Sequence, residues 1–123
     1  MVKLTEEAKQ MIGSIRPLLV ATASRNGKPN VSAKGSLRVL DDEHLVFADV
    51  ASPRTVANLR ENPQAAIICL DAVTRKGCRV WGRGDIISSG PLFDQIEAEL
   101  ASRNLTRKVN NIVKITVEEF EVF

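Results

Sequence analysis

"LLVATASRNGKPNVSAKGSLRVL" (residues 18–40) carries the strongest statement of architecture in the chain. Two apolar-rich runs, "LLVATAS" and "NVSAKGSLRVL", flank the polar stretch "RNGKP". Asn26-Gly27 accepts the positive backbone angles of a tight hairpin, so the two runs are expected to pair antiparallel. Along the second run Val31, Ala33, Gly35, Leu37 and Val39 alternate with Ser32, Lys34, Ser36 and Arg38, the period of a single β-strand. One of its faces is apolar with two small members. The other is hydroxylic and cationic.

Outward from this hairpin the same grammar repeats. The turn "DDEH" leads into "LVFADV", and "AAIICLD", "CRVWGRGDIIS" and "NIVKITVEEFEVF" supply three further strand-like runs. That makes six strands with several hairpin signals. Helical spacing is confined to three short segments. Leu4, Ala8, Met11, Ile12 and Ile15 share one face behind a Thr5 cap, and Arg16-Pro17 ends that helix. "PRTVANLREN" is short and amphipathic, and "GPLFDQIEAELASRN" places Leu92, Phe93, Ile96 and Leu100 together after a Gly-Pro start. Too few crossover helices exist for a doubly wound fold, so the expectation is a mainly β protein: one domain over residues 1–123, a closed or partly closed antiparallel barrel with helices attached.

Composition excludes several classes. An apolar share of 44% argues against disorder, and a net charge of +2 gives no reason to expect nucleic acid or an anionic membrane as partner. Cys69 and Cys78 match no zinc or redox spacing and read as small apolar packing residues. No leader-like segment and no membrane-length apolar run is present, so a cytoplasmic location is expected. The one histidine, His44, lies in a charged turn, tyrosine is absent, and no nucleophile or metal motif occurs. Trp81 reads as a core or interface residue. Chemistry in this chain would have to come from a cofactor.

The best candidate for holding one is the junction "FADVASPRTVANLRENP" (residues 47–63). A strand stops at a small polar corner, and Ser52 and Pro53 suit the N-cap and first helical positions. Arg54 and Thr55 then fall in a first turn whose N–H groups lack intrahelical acceptors. A cation there opposes the helix dipole unless an anion sits beside it, so two readings stand: an ordinary capped surface helix, or a phosphate site. The second candidate is the polar face of "NVSAKGSLRVL", where small residues allow a flat ligand to approach the backbone.

In order and spacing, "GKPNVSAKGSLRVL" followed by "LVFADVASPRTVANLRENPQAAI" resembles the pyridoxamine 5′-phosphate oxidase-related family of flavin-mononucleotide (FMN) binding split barrels. "SPRTVANLRENP" is similar to that family's phosphate signature, and "RVWGRGDIISSGPLFDQI" to its later strand, bend and helix. The resemblance implies a six-stranded antiparallel split β-barrel and a homodimer with FMN between subunits. It implies that Arg54 and Thr55 bind the FMN phosphate. Ser32, Ala33, Lys34, Gly35 and Ser36 would lie along the isoalloxazine ring and ribityl chain, with Asp49 and Val50 lining the same cleft. Lys34 or Arg38 would be the cation near the ring. "EEFEVF" lacks the basic and histidine set with which the oxidase grips its vitamin substrate, so oxidation of pyridoxamine phosphate is not expected. The expectation is a flavin-dependent oxidoreductase of other substrate or, alternatively, a non-catalytic FMN-binding electron-transfer module. A nucleic-acid-binding barrel is the remaining, third reading.

Overall fold

The structure, a computed structural model, describes residues 1–104 and 107–123. Helix α1 (Glu6–Ser14) precedes strands β1 (Leu18–Ala23), β2 (Pro29–Ala33), β3 (Arg38–Asp41) and β4 (His44–Asp49). Helix α2 (Pro53–Glu61), strands β5 (Gln64–Leu70) and β6 (Gly77–Ile87), helix α3 (Pro91–Ser102) and strand β7 (Asn111–Val122) complete the order. All seven strands join one sheet in the order β2-β1-β5-β6-β7-β4-β3, and every pairing is antiparallel.

The hairpin forms where Asn26-Gly27 places it. Gly27 has φ 85°, its amide donates to the Ser24 carbonyl at 2.9 Å, and Ala23 faces Pro29 across the β1–β2 pair. The run expected to continue as one strand from Asn30 to Leu40 does not. It breaks into β2 and β3, raising the strand count from six to seven. Those two strands are the opposite edges of the sheet, joined only by residues 34–37. Five Cα steps span at most about 18 Å, whereas the edges of a flat seven-stranded sheet would stand roughly 29 Å apart. The sheet must therefore curl until its edges approach, and the barrel is split where β2 and β3 face each other. The alternation of residue types in the sequence continues across this break, although Lys34 and Leu37, from opposite faces of that pattern, are both buried, so periodicity alone reads straight through it.

Two cores fill the structure. Inside the barrel Leu18, Val20, Leu45, Phe47, Ile67, Val80, Val113 and Ile115 meet Leu4, Ala8 and Ile12 of α1. Thr5 caps that helix by accepting from the Ala8 amide at 3.2 Å. Outside, α3 presses Ile96 and Leu100 onto Val46, Ala48 and Ile112. Strand β4 lies between the cores, Leu45 and Phe47 facing one and Val46 and Ala48 the other, so its sequence is almost continuously apolar. Strand β6 bends at a bulge between Trp81 and Gly82, where an added Cβ on Gly82 would stand 2.7 Å from Ile115 Cγ2. No helix among the described residues is long and apolar enough to cross a membrane.

Candidate functional site

The corner between β4 and α2 is pinned by a buried carboxylate. Asp49, 5% exposed, accepts from the Ser52 amide and from Asn111 Nδ2, both at 2.9 Å. The Asn110 side chain donates to the Val50 carbonyl at 3.1 Å. These bonds hold the chain in the abrupt turn from which α2 starts.

Ser52 stands at the N-cap position but does not cap. Its backbone lies at φ −129°, ψ 58°, its hydroxyl makes no bond to the first-turn amides, and it receives the Lys34 ammonium instead. Pro53 has no N–H, and the Val56 amide reaches the Ser52 carbonyl at 3.1 Å. The amides of Arg54 and Thr55 are thereby left without an acceptor among the described residues. α2 also has no acidic residue in its first turn. The helix presents open donors and the positive end of its dipole with nothing of its own to satisfy them.

The surrounding side chains are of the same kind. Thr55, 1% exposed, sets its hydroxyl 3.3 Å from that of Ser32. Lys34 is only 7% exposed, its ammonium 5.7 Å from the centre of the Phe47 ring. Burial lowers its pKa below 10.5, and the nearby Asp49 charge opposes that shift. Arg54 is exposed and makes no ion pair among the described residues. Together with Asn30 these groups line a cleft of about 240 Å³ that contains no acidic side chain. Two amides, two hydroxyls and two cations converging on one cleft form a donor set suited to a dianionic phosphate.

Of the residues singled out in the sequence, Ser32, Lys34, Arg54 and Thr55 come together here. Ala33 is exposed opposite Leu19 on the other face of β2. A Cβ added to Gly35 would meet nothing within 4 Å, so this backbone is open to approach. The Ser36 hydroxyl accepts from the Ala48 amide at 2.9 Å and ties the crossing segment to β4. Asp49 shapes the corner from beneath, and Val50 packs against the outer core. Arg38 is held by both Glu99 oxygens, at 3.0 and 2.8 Å, so that of Lys34 and Arg38 only Lys34 lines the cleft, beside Arg54. Asn30 was not singled out, although strand alternation from Ser32 and Lys34 leads straight to it. His44 pairs with Asp41 at 2.8 Å in its turn, away from these residues.

An antiparallel split barrel with a donor-lined corner between its fourth strand and second helix is the class of protein that fold and site define. The chain belongs to the pyridoxamine 5′-phosphate oxidase family, whose sequence profile matches residues 4–122. It is similar to HupZ of Group A Streptococcus, with a TM-score of 0.88 and 25% identity over 98% of this chain and 94% of that one. An FMN-binding protein from Syntrophomonas wolfei shares the fold, with a TM-score of 0.85 and 20% identity over 95% and 84% of the two chains. In sequence, an uncharacterized protein from Methanocaldococcus jannaschii is 42% identical over 69 residues, 54% of this chain. The matched stretch spans 45% of that relative's length.

Proposed function

We propose that this chain is an FMN-binding flavoprotein and oxidoreductase, with the FMN phosphate seated at the start of α2. The observation that carries the reading is the open first turn: the Arg54 and Thr55 amides, without acceptors, beside a buried Thr55 hydroxyl, Ser32, Arg54 and Lys34. Family membership supports the same ligand. Bound FMN supplies hydride exchange at its N5 atom.

The chain's own residues divide the work around it. Arg54, Thr55 and Ser32 donate to the phosphate, and Lys34 adds its charge through Ser52 at the same end. Gly35 leaves room for a flat ring at the crossing segment, where the amides of Gly35 and Ser36 have no acceptor among the described residues. Donors aimed at developing negative charge are the usual electrostatic contribution to such chemistry. A homodimer fits the outer sheet face. Val31 is 64% exposed there, over a shallow hollow formed with Leu19, Ala21, Ala66 and Ile68.

The cleft holds no histidine, carboxylate or cysteine to act as acid or base. That observation favours, as a second reading, an electron-transfer module with the same cofactor and no turnover of small organic substrates. Purified protein should carry the visible absorption of a flavin, and mass analysis after denaturation should release FMN. A colourless protein that takes up no FMN on titration overturns both readings. Steady-state assays with NADH, NADPH and reduced deazaflavin separate them, since only the enzyme turns over.

A further inference from the structure

A second cleft, of about 210 Å³, adjoins the first and shares Asn30 and Arg54 with it. It runs along the flank of α2 toward the β1–β2 hairpin, between Ala57 and Asn58 on one side and Lys28 and Pro29 on the other. Its position is specific. Lys28, Asn30, Ser32 and Lys34 are alternate residues, and the last three line the first cleft, so the second opens beyond its Arg54 end, away from Lys34.

Its chemistry is also specific. The side chains of Lys28 and Arg54 make no hydrogen bond or ion pair among the described residues, and no acidic side chain lines either cleft. The Asn58 amide nitrogen donates to the Thr22 hydroxyl at 3.1 Å, which fixes the side chain and leaves its carbonyl oxygen free to accept. Pro29 and Ala57 are exposed and offer apolar wall. Two uncompensated cations, a fixed acceptor and a small apolar surface match a second phosphoryl group followed by an aromatic base that carries an amino group.

Resting on the FMN reading of the first cleft, we propose that the second takes the adenylate half of a flavin dinucleotide, so that the chain binds FAD as well as FMN. Arg54 lies between the two phosphates, Lys28 neutralises the outer one, and the adenine rests on Pro29 and Ala57 with its amino group toward Asn58. Neither Lys28 nor Ala57 belongs to the first cleft, so substitutions there separate the two halves.

The test is calorimetric titration of flavin-free full-length chain with riboflavin, FMN, FAD and, after saturation with FMN, 5′-AMP. The titrations are repeated on Lys28→Ala and on Ala57→Trp, which fills the second cleft, with circular dichroism to verify folding. FAD should bind within about threefold of FMN or tighter. Lys28→Ala should weaken FAD roughly tenfold, as expected for a lost charged hydrogen bond, and leave FMN within about twofold. Ala57→Trp should weaken FAD by more than about tenfold while leaving FMN within about twofold. If FMN binds and FAD is rejected, or Lys28→Ala weakens both alike, the dinucleotide proposal fails while the FMN reading stands. AMP binding beside FMN combined with rejection of FAD likewise overturns it, in favour of a separate nucleotide ligand. If neither flavin binds, both readings fail together.

Discussion

Helices α2 and α3 begin alike but carry opposite charge in their first turns. Both place proline at the start, and neither has a side-chain cap. In α3 the chain supplies its own anion, Asp94 in the first turn, whose amide also reaches the Gly90 carbonyl at 3.0 Å. In α2 the place of Asp94 is taken by Val56, whose amide reaches the Ser52 carbonyl at 3.1 Å. The charged residue of the first turn is Arg54, with Thr55 buried beside it and Lys34 drawn in from the crossing segment. α3 leaves the Leu92 and Phe93 amides without an acceptor among the described residues, as α2 does those of Arg54 and Thr55. It has its own carboxylate near them, however, and serves packing, its Ile96 and Leu100 buried against β4 and β7. α2 has no acidic residue in its first turn and a cation there instead, so its dipole is uncompensated by its own first turn. A helix start that violates the dipole rule while its twin obeys it is a candidate site, because a bound anion would offset the stability given up there.

Making α2 resemble α3 should break the contrast most severely. Arg54→Asp gives the first turn of α2 a carboxylate, as the first turn of α3 has in Asp94, and FMN affinity should fall by more than about 100-fold, since a donor is lost and a like charge faces the phosphate. Titration followed by flavin fluorescence measures this. Arg54→Ala removes only the donor and should cost about 1.5–3 kcal/mol of FMN binding, with riboflavin nearly indifferent because it lacks the phosphate. Equal losses for both ligands would place Arg54 in folding rather than in phosphate recognition.

A milder probe uses pH. Burial holds the Lys34 pKa below 10.5 in the free protein, and a bound dianion favours its protonated form. FMN binding should therefore weaken as pH rises from neutral through that lowered value, with proton uptake on binding, and Lys34→Met should flatten the dependence. The ligand-free protein should show the opposite trend. Between the lowered folded pKa and 10.5 the unfolded chain binds more protons, so this group makes unfolding harder as pH rises there. Chemical denaturation across that range, wild type against Lys34→Met, isolates the contribution.

The smallest effects sharpen the comparison from the stability side. Arg54→Asp should gain about 0.3–1 kcal/mol in the ligand-free protein, and Asp94→Ala at α3 should lose a similar amount, both reduced by salt. A loss of stability in Arg54→Asp would mean that the α2 dipole is already satisfied within the chain.

Much of the site was legible from local rules, and what was not shares one cause. Arg54 and Thr55 could be placed in a first turn because Pro53 and the apolar spacing of Val56 and Leu59 define where the helix begins. Ser52 could not be read correctly. Its residue type suits a cap, but its hydroxyl is engaged by Lys34, which lies 18 positions earlier in the chain. The same holds for Arg38, whose charge is taken up by Glu99 across 61 residues, and for Asp49, whose partner Asn111 is 62 residues away.

The sequence by itself determined the elements: the Asn26-Gly27 hairpin, the capped α1, the Pro-initiated α2 and α3, and the predominance of antiparallel strands. Each depends on interactions among residues a few positions apart, where backbone angles, capping and side-chain period are decided. Only the tertiary structure decided that residues 30–40 serve two opposite edges of one sheet, and that Lys34 crosses between them to meet Ser52. Alternation records which side a side chain faces but carries no record of which strand lies beside it. Closure of the barrel, and with it the cleft, follows from the short reach of residues 34–37 between two edges that only long-range pairing creates.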